Sequence, residues 1–158
     1  MTDIELLDSL SQYYFKFGIF TAEGQQEVNV DVINTDDTTT TIPMKIADIM
    51  YFTEYGTITI PGQHVFEKST YYINYLLSEE LSKLVDRILT NDITNETEIE
   101  TILRALAIKV EQYIKSYMMS LIKKNNRLGS IINNKDSNKY IYNLNNLSKY
   151  VKCGLFRK

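Results

Sequence analysis

The pattern of apolar positions predicts two long helices in the middle of the chain. Over residues 66–91, leucine, isoleucine and valine recur at spacings of three and four, the period of one helix face. A second stripe with the same period starts at Ile99 and runs to Leu121. Between the two stripes, Asn95 is followed three residues later by Glu98, which resembles a capping box and predicts the start of the second helix.

Aromatic and β-branched residues predict strands before these helices. Residues 13–20 contain six aromatic or β-branched side chains and form the first predicted strand, after a short helical turn that contains Leu6 and Leu10. Valines at every second position of residues 28–33 predict a second strand, which we expect to pair back on the first as a hairpin. The threonine- and aspartate-rich residues 35–41 predict a solvated loop tip.

The remaining segments complete an α+β pattern. A short helix follows Pro43 and ends at Gly56, and two short strands are predicted at residues 140–142 and 150–156. We therefore predict a small antiparallel sheet packed against two long helices plus a short helix. In this division, residues 1–124 form the core, and residues 125–158 add a polar, mobile loop and a last strand to the same domain.

Composition disfavours several classes of function. One cysteine, Cys153, excludes an internal disulfide, and with the single histidine, His64, it leaves little for a metal or catalytic centre. No apolar run approaches 18 residues, so we expect no transmembrane helix, and the acidic start of the chain disfavours a signal peptide. Phosphate-binding glycine loops and hydrolase motifs are absent from the sequence. The expectation is a non-enzymatic protein without cofactor or metal.

The acidic and basic residues are divided along the chain. Residues 1–100 carry 18 acidic and 5 basic residues, a net charge of −13, whereas residues 101–158 carry 2 acidic and 12 basic residues, a net charge of +10. Such a division concerns partners or assembly rather than fold. The candidate basic interface consists of Lys123, Lys124, Arg127, Lys135, Lys139, Lys149, Lys152, Arg157 and Lys158.

Nucleic-acid binding is one interpretation of the basic segment. Its lysines and arginines interleave with tyrosines, and such a mixture can track phosphates and stack bases. However, Tyr113 and Tyr117 lie on the apolar stripe of the second long helix, which predicts that they belong to the core. This interpretation therefore stays an alternative.

Residues 48–66 carry a resemblance to a known family. The sequence Glu54-Tyr55-Gly56-Thr57 is followed by Ile60-Pro61 and then by Phe66 at the start of the first long helix, while Ala47 and Ile49 fit the preceding short helix. This order resembles the neck or tail-completion proteins of tailed bacteriophages, including the minor tail protein of lambda-like phages and the virion-morphogenesis proteins of Mu-like phages. Gln63 and His64 depart from the family pattern, which has Arg and a second Pro there.

The resemblance implies a structural virion protein. Its expected role is a ring in the neck that joins the head connector to the tail, with tail-terminator ring and portal-side adaptor as alternatives. The implied partners are further copies of the chain, the head connector or adaptor, and the tail terminator or tail tube proteins, with non-specific contact to genomic DNA and no membrane.

Within that interpretation, the motif residues allow two hypotheses. Glu54, Tyr55, Gly56 and Pro61 are either architectural or in contact with a partner, and Glu54 is the candidate for an ion pair between subunits. In a ring, the acidic part of one copy would meet the basic part of the next. The segments 35–41 and 125–150 are candidate docking arms that order on assembly.

Overall fold

The computed structural model describes residues 1–34, 36–56, 62–124, 130–131, 139–141 and 144–158, without the side chains of Ile33 and of residues 122–145. The helices are α1 (Asp3–Ser11), α2 (Thr21–Gly24), α3 (Ile46–Tyr55), α4 (Val65–Leu89), α5 (Glu96–Lys124) and α6 (Leu144–Ser148). The strands are β1 (Tyr13–Gly18), β2 (Glu27–Ile33), β3 (Thr39–Lys45), β4 (Ser130–Ile131), β5 (Lys139–Ile141) and β6 (Lys152–Arg157).

The two long helices form where the apolar stripes predict them. α4 and α5 contain 25 and 29 residues, and the predicted limits of α4 differ from the observed ones by one or two positions. The start of α5 is also close to the prediction, because the side chain of Asn95 accepts a hydrogen bond from the N–H of Glu98. The side chain of Glu98 in turn accepts from the N–H of Thr94 rather than from that of Asn95.

The strands form two antiparallel sheets. β1 pairs with β6 in a two-stranded sheet, and β3, β2, β5 and β4 form a four-stranded sheet in that order. Together with the two long helices and the short α3, this architecture confirms the predicted α+β class.

The predicted hairpin between the first two strands is wrong. β2 pairs with β3 on one side and with β5 on the other, while β1 pairs with β6. Alternation with period two determines which side chains face inward, but it does not determine which strand lies alongside. β3 is also absent from the prediction, which places residues 39–41 in a loop tip although threonine is a good strand former.

Two clusters of buried side chains form the core. The larger cluster joins the four-stranded sheet to α3, α4 and α5, and its fully buried members include Val30, Ile49, Ile73 and Ile114. The smaller cluster joins α1 to the end of α4 and the start of α5, and its buried members are Leu6, Leu84, Ile88, Ile93, Ile99 and Leu103. β1 contributes to both clusters, with Phe15 against the smaller and Phe17 against the larger.

The last part of the described chain belongs to the larger cluster. Leu147 of α6 and Val151 just before β6 are completely buried there. This part of the candidate arm 125–150 is therefore folded against the core. Residues 57–61, 125–129, 132–138 and 142–143, which include most of the predicted loop, lie outside the described residues.

The pairing of β1 with β6 can be tested with one new cysteine. Cys153 lies directly opposite Phe17 in the register of the two strands, and both side chains pack on the same core cluster. Phe17→Cys is therefore expected to form a disulfide with Cys153 under mild oxidation, detected by non-reducing electrophoresis and peptide mapping. Asn29→Cys, in β2, is the control and should leave both thiols free; free thiols in oxidised, folded Phe17→Cys would show that the pairing is wrong.

Candidate functional site

The carboxylate of Glu54 joins the end of α3 to the start of α4. Glu54 is only 5% exposed. Its Oε2 accepts a hydrogen bond from the N–H of Phe66, and its Oε1 accepts one from the N–H of Glu67, both at 3.0 Å. The first N–H groups of a helix have no partner within the helix, so a carboxylate placed there satisfies them and also interacts favourably with the helix dipole. Glu54 thus acts as an N-terminal cap supplied by another helix.

This arrangement replaces the usual cap from the residue before the helix. His64 occupies the N-cap position of α4 with φ 52° and ψ 45°, in the left-handed region, and its side chain makes no capping hydrogen bond. An N-cap side chain normally reaches the helix from extended backbone, which His64 lacks. The imidazole Nδ1 lies 2.8 Å from Oε2 of Glu67, although the contact does not have hydrogen-bond geometry.

Two glycines allow the chain to return close to the end of α3. Gly56 ends the helix with φ 79° and ψ −169°, a conformation that L-residues rarely adopt. A Cβ on Gly62 would collide with the backbone of Glu54 and Tyr55. The close approach is held by hydrogen bonds from the N–H of Gln63 to the carbonyl of Thr53 and from the N–H of His64 to the carbonyl of Glu54, at 2.7 and 3.1 Å.

The other residues of the sequence motif have different surroundings. Tyr55 is 63% exposed and its ring lies 4.9 Å from that of Tyr51. Phe66 packs on the larger core cluster, beside Phe17. Thr57, Ile60 and Pro61 lie outside the described residues. Within the chain, Glu54 is thus part of the architecture, and its carboxylate already has two donors, whereas Tyr55 is available to a partner.

Glu96, at the first position of α5, is a centre of contacts that the sequence analysis did not identify. Its Oε1 accepts hydrogen bonds from the hydroxyls of Ser9 and Tyr13, at 2.8 and 3.3 Å, and lies 2.6 Å from the guanidinium of Arg157. The Ser9 hydrogen bond and the nearby Arg157 lower the pKa of Glu96. The pKa of Tyr13 is raised, first by burial and then by the Glu96 charge. One carboxylate therefore ties α1, β1 and β6 to the start of α5.

The candidate basic interface is only partly described. Arg157 pairs with Glu96, and its guanidinium also lies 5.5 Å from the ring centre of Tyr13. Lys158 is exposed and reaches the carbonyl of Ser11, while Lys149 is exposed and Lys152 half-buried. The side chains of Lys123, Lys124 and Lys139, and Arg127 and Lys135 as a whole, lie outside the described residues.

Ion pairs within the chain reduce the charge division. Two basic residues of α5 pair with acids from the first hundred residues, as Arg157 does: Arg104 with Glu100 one turn before it, and Lys109 with Glu80 of α4 at 3.8 Å. Lys115 pairs with Glu111 inside the basic segment. Such exposed pairs contribute little stability individually. They nevertheless show that part of the division between acidic and basic segments serves contacts inside one subunit.

The outer face of the β1–β6 sheet combines aromatic rings with lysines. Tyr14 stacks on Phe156 with ring centres 5.8 Å apart, and Phe20 meets the same ring edge to face. The ammonium of Lys16 lies 5.3 Å from the centre of the Phe156 ring. By strand alternation, Lys152 projects from the same face.

In the described residues, chemistry would depend on metal-binding groups, the lone cysteine or neighbouring carboxylates. These residues contain no group of three or more His, Cys, Asp or Glu residues that could hold a metal ion. Burial, with a smaller contribution from Glu111, raises the pKa of the Cys153 thiol to about 11, so the thiol is mostly protonated at neutral pH. Two pairs of neighbouring carboxylates also occur in the described chain: Asp36 and Asp37 lie in the loop between β2 and β3, and Glu79 and Glu80 lie on α4.

Comparison of the chain with protein-family models, with curated proteins and with solved structures found no match in any of the three. In the described part of the chain, no helix is both long enough and apolar enough to cross a membrane.

Substitution of Glu54 should destabilise the protein. Glu54→Gln leaves one acceptor for two N–H groups and removes the charge, so we expect a loss of about 1–3 kcal/mol in the free energy of unfolding, measured by urea denaturation. Glu79→Gln on the exposed side of α4 is the control and should change it by less than about 0.5 kcal/mol. An equal effect of the two substitutions would contradict the capping role.

The contribution of Glu96 to stability should depend on pH. Since the pKa of Glu96 is lower in the folded chain, its contribution is present above the unfolded pKa of about 4.3 and is lost as the pH falls through the folded pKa. Glu96→Gln should therefore destabilise the protein at pH 7, and the difference from wild type should shrink between about pH 5 and pH 3. Asp8→Asn, on exposed α1, serves as control; a pH-independent difference would argue against the ionised Glu96 as the source.

Proposed function

We propose that this chain is a structural protein of a tailed-phage virion that forms a ring in the neck and joins the head connector to the tail. The observation that carries the proposal is the segment from α3 to the start of α4. There three of the residues that resemble the neck and tail-completion family form the junction that orients a long helix: Gly56 ends α3, and the N–H of Phe66 donates to the carboxylate of Glu54.

The distribution of exposed charge supports assembly from unlike faces. The hairpin of β2 and β3 and the start of α3 expose five acidic residues and only one basic residue, Lys45; the acidic ones are Glu27, Asp31, Asp36, Asp37 and Asp48. Lys149 and Lys152 lie near the other end of the chain, and in the described residues neither forms an ion pair. A ring is built from heterologous contacts, in which one face meets a different face of the next copy. Opposite charges would steer that contact.

The ring can be tested by reversing the charge of each of the two faces, first separately and then together. The purified chain should form rings visible by negative-stain electron microscopy and native mass spectrometry. Lys149→Glu with Lys152→Glu should weaken assembly by about tenfold or more, as should Asp31→Lys with Asp36→Lys. Combining both sets in one chain restores opposite charges and should restore assembly. A chain that stays monomeric and binds neither heads nor tails would refute the proposal.

A second candidate, nucleic-acid binding, is favoured by the rings and lysines on the outer face of the β1–β6 sheet. If the purified chain binds DNA in this way, its affinity for DNA should fall as the salt concentration rises and should be lower in Lys16→Ala and in Lys152→Ala.

The tail terminator and the portal-side adaptor occupy positions in the virion that differ from that of the neck ring. Locating the chain in a virion map therefore distinguishes the three.

A further inference from the structure

The outward face of α4 carries two large aromatic side chains that the described part of the chain leaves exposed. Tyr71 and Tyr75 are one helical turn apart and are 81% and 67% exposed. The core side of the helix is formed by other positions, including Val65, Ser69 and Ile73. The neighbouring Tyr72 is different, because its ring stacks on Tyr113 of α5 at 4.2 Å. Tyrosine is enriched in protein interfaces, where it combines a large apolar ring with a polar tip.

The next turns of the same face carry small side chains. Ser78 and Ser82 are exposed, and together with Leu81, Val85 and Asp86 they line a shallow concavity of about 410 Å³. The outward face of α4 is thus divided into a bulky half, Tyr71 and Tyr75, and a small half around Ser78 and Ser82. Two such helices packed antiparallel would bring the bulky half of each against the small half of the other.

The charges at the two ends of this face are also complementary in an antiparallel pair of helices. Lys68 lies one turn before the tyrosines and Asp86 one turn after the serines, and both are exposed. In an antiparallel pair, Lys68 of each copy meets Asp86 of the other. A parallel pair would instead place lysine against lysine and tyrosine against tyrosine, which is unfavourable in both charge and shape.

We propose that α4 is a dimerisation helix that packs antiparallel against α4 of a second copy, about a two-fold axis level with residue 77. The tyrosines of each copy fill the concavity of the other, and two Lys68–Asp86 pairs close the ends of the contact. This contact is isologous, so it is separate from the head-to-tail contact of the proposed ring and does not depend on it.

The first experiment compares two pairs of exposed tyrosines. In a Lys149→Glu, Lys152→Glu background, where the proposed ring contact is weakened, sedimentation velocity over a range of concentrations should give a dimer, and Tyr71→Ser with Tyr75→Ser should weaken it by about tenfold or more. Tyr51→Ser with Tyr55→Ser on α3, where both rings are also exposed, is the matched control and should leave the dimer intact. Absence of the dimer from this background, or equal losses in the two tyrosine variants, would overturn the proposal.

The second experiment tests the antiparallel geometry. Lys68→Asp and Asp86→Lys should each weaken the dimer, and the chain with both substitutions should recover it, because the pairs are then reversed.

Cysteine cross-linking tests the same geometry in a Cys153→Ser background. Ser78→Cys lies close to the two-fold axis and should form a disulfide-linked dimer, whereas Ser116→Cys, at an exposed position of α5, should not. Failure of the double charge variant to recover, or equal cross-linking of the two cysteine variants, would contradict this arrangement. Neither outcome would affect the ring, whose test uses other residues.

Discussion

The two hydrogen bonds that the Glu54 carboxylate accepts from the first turn of α4 fix the position of the short helix relative to the long one. His64, the N-cap residue of α4, is in the left-handed conformation, and its side chain does not cap the free N–H groups of the helix. Because Glu54 belongs to α3, the cap also determines where α4 starts and in which direction it leaves. Ile49 of α3 and Ile73 of α4 pack in the same core cluster, so the larger core depends on this junction. A buried carboxylate is costly unless it is fully hydrogen-bonded, and here the helix provides both donors.

Charge in this chain has one use within the subunit and another on its surface. Glu96 accepts hydrogen bonds from Ser9 and Tyr13 and pairs with Arg157, and it thereby joins elements from distant parts of the sequence. α5 pairs its bases with acids one turn away or on α4. Excess negative charge is left on the hairpin of β2 and β3, and the exposed face of α4 has a lysine and an aspartate at opposite ends. On these two surfaces, charge complementarity can determine which molecule binds and in which orientation.

Local periodicity predicted the helices well and the strand partners poorly. The apolar stripes of α4 and α5, the stop at Gly56 and the Asn95 cap depend on residues within a few positions of each other, so the sequence contains the whole signal. The pairing of β1 with β6 joins distant positions, and the run of threonines concealed β3. Glu54 was identified through its motif, but its partners twelve and thirteen residues later depend on the left-handed His64. The contacts of Glu96 could not be predicted from its neighbours in the sequence, because its three donors come from α1, β1 and β6. The sequence shows only that an acidic residue is favourable at the start of a helix.

The pairing of β1 with β6 has a consequence for synthesis. β1 is translated before both long helices, and the strand that completes its sheet is translated only after them. Until then, the backbone edge of β1 is unpaired, and the aromatic side chains of Tyr13 and Phe15 lack Leu155 as a neighbour. Such an edge is a site for aggregation and for chaperone binding. Nascent chains of this protein are therefore expected to need protection at β1 until β6 has been made.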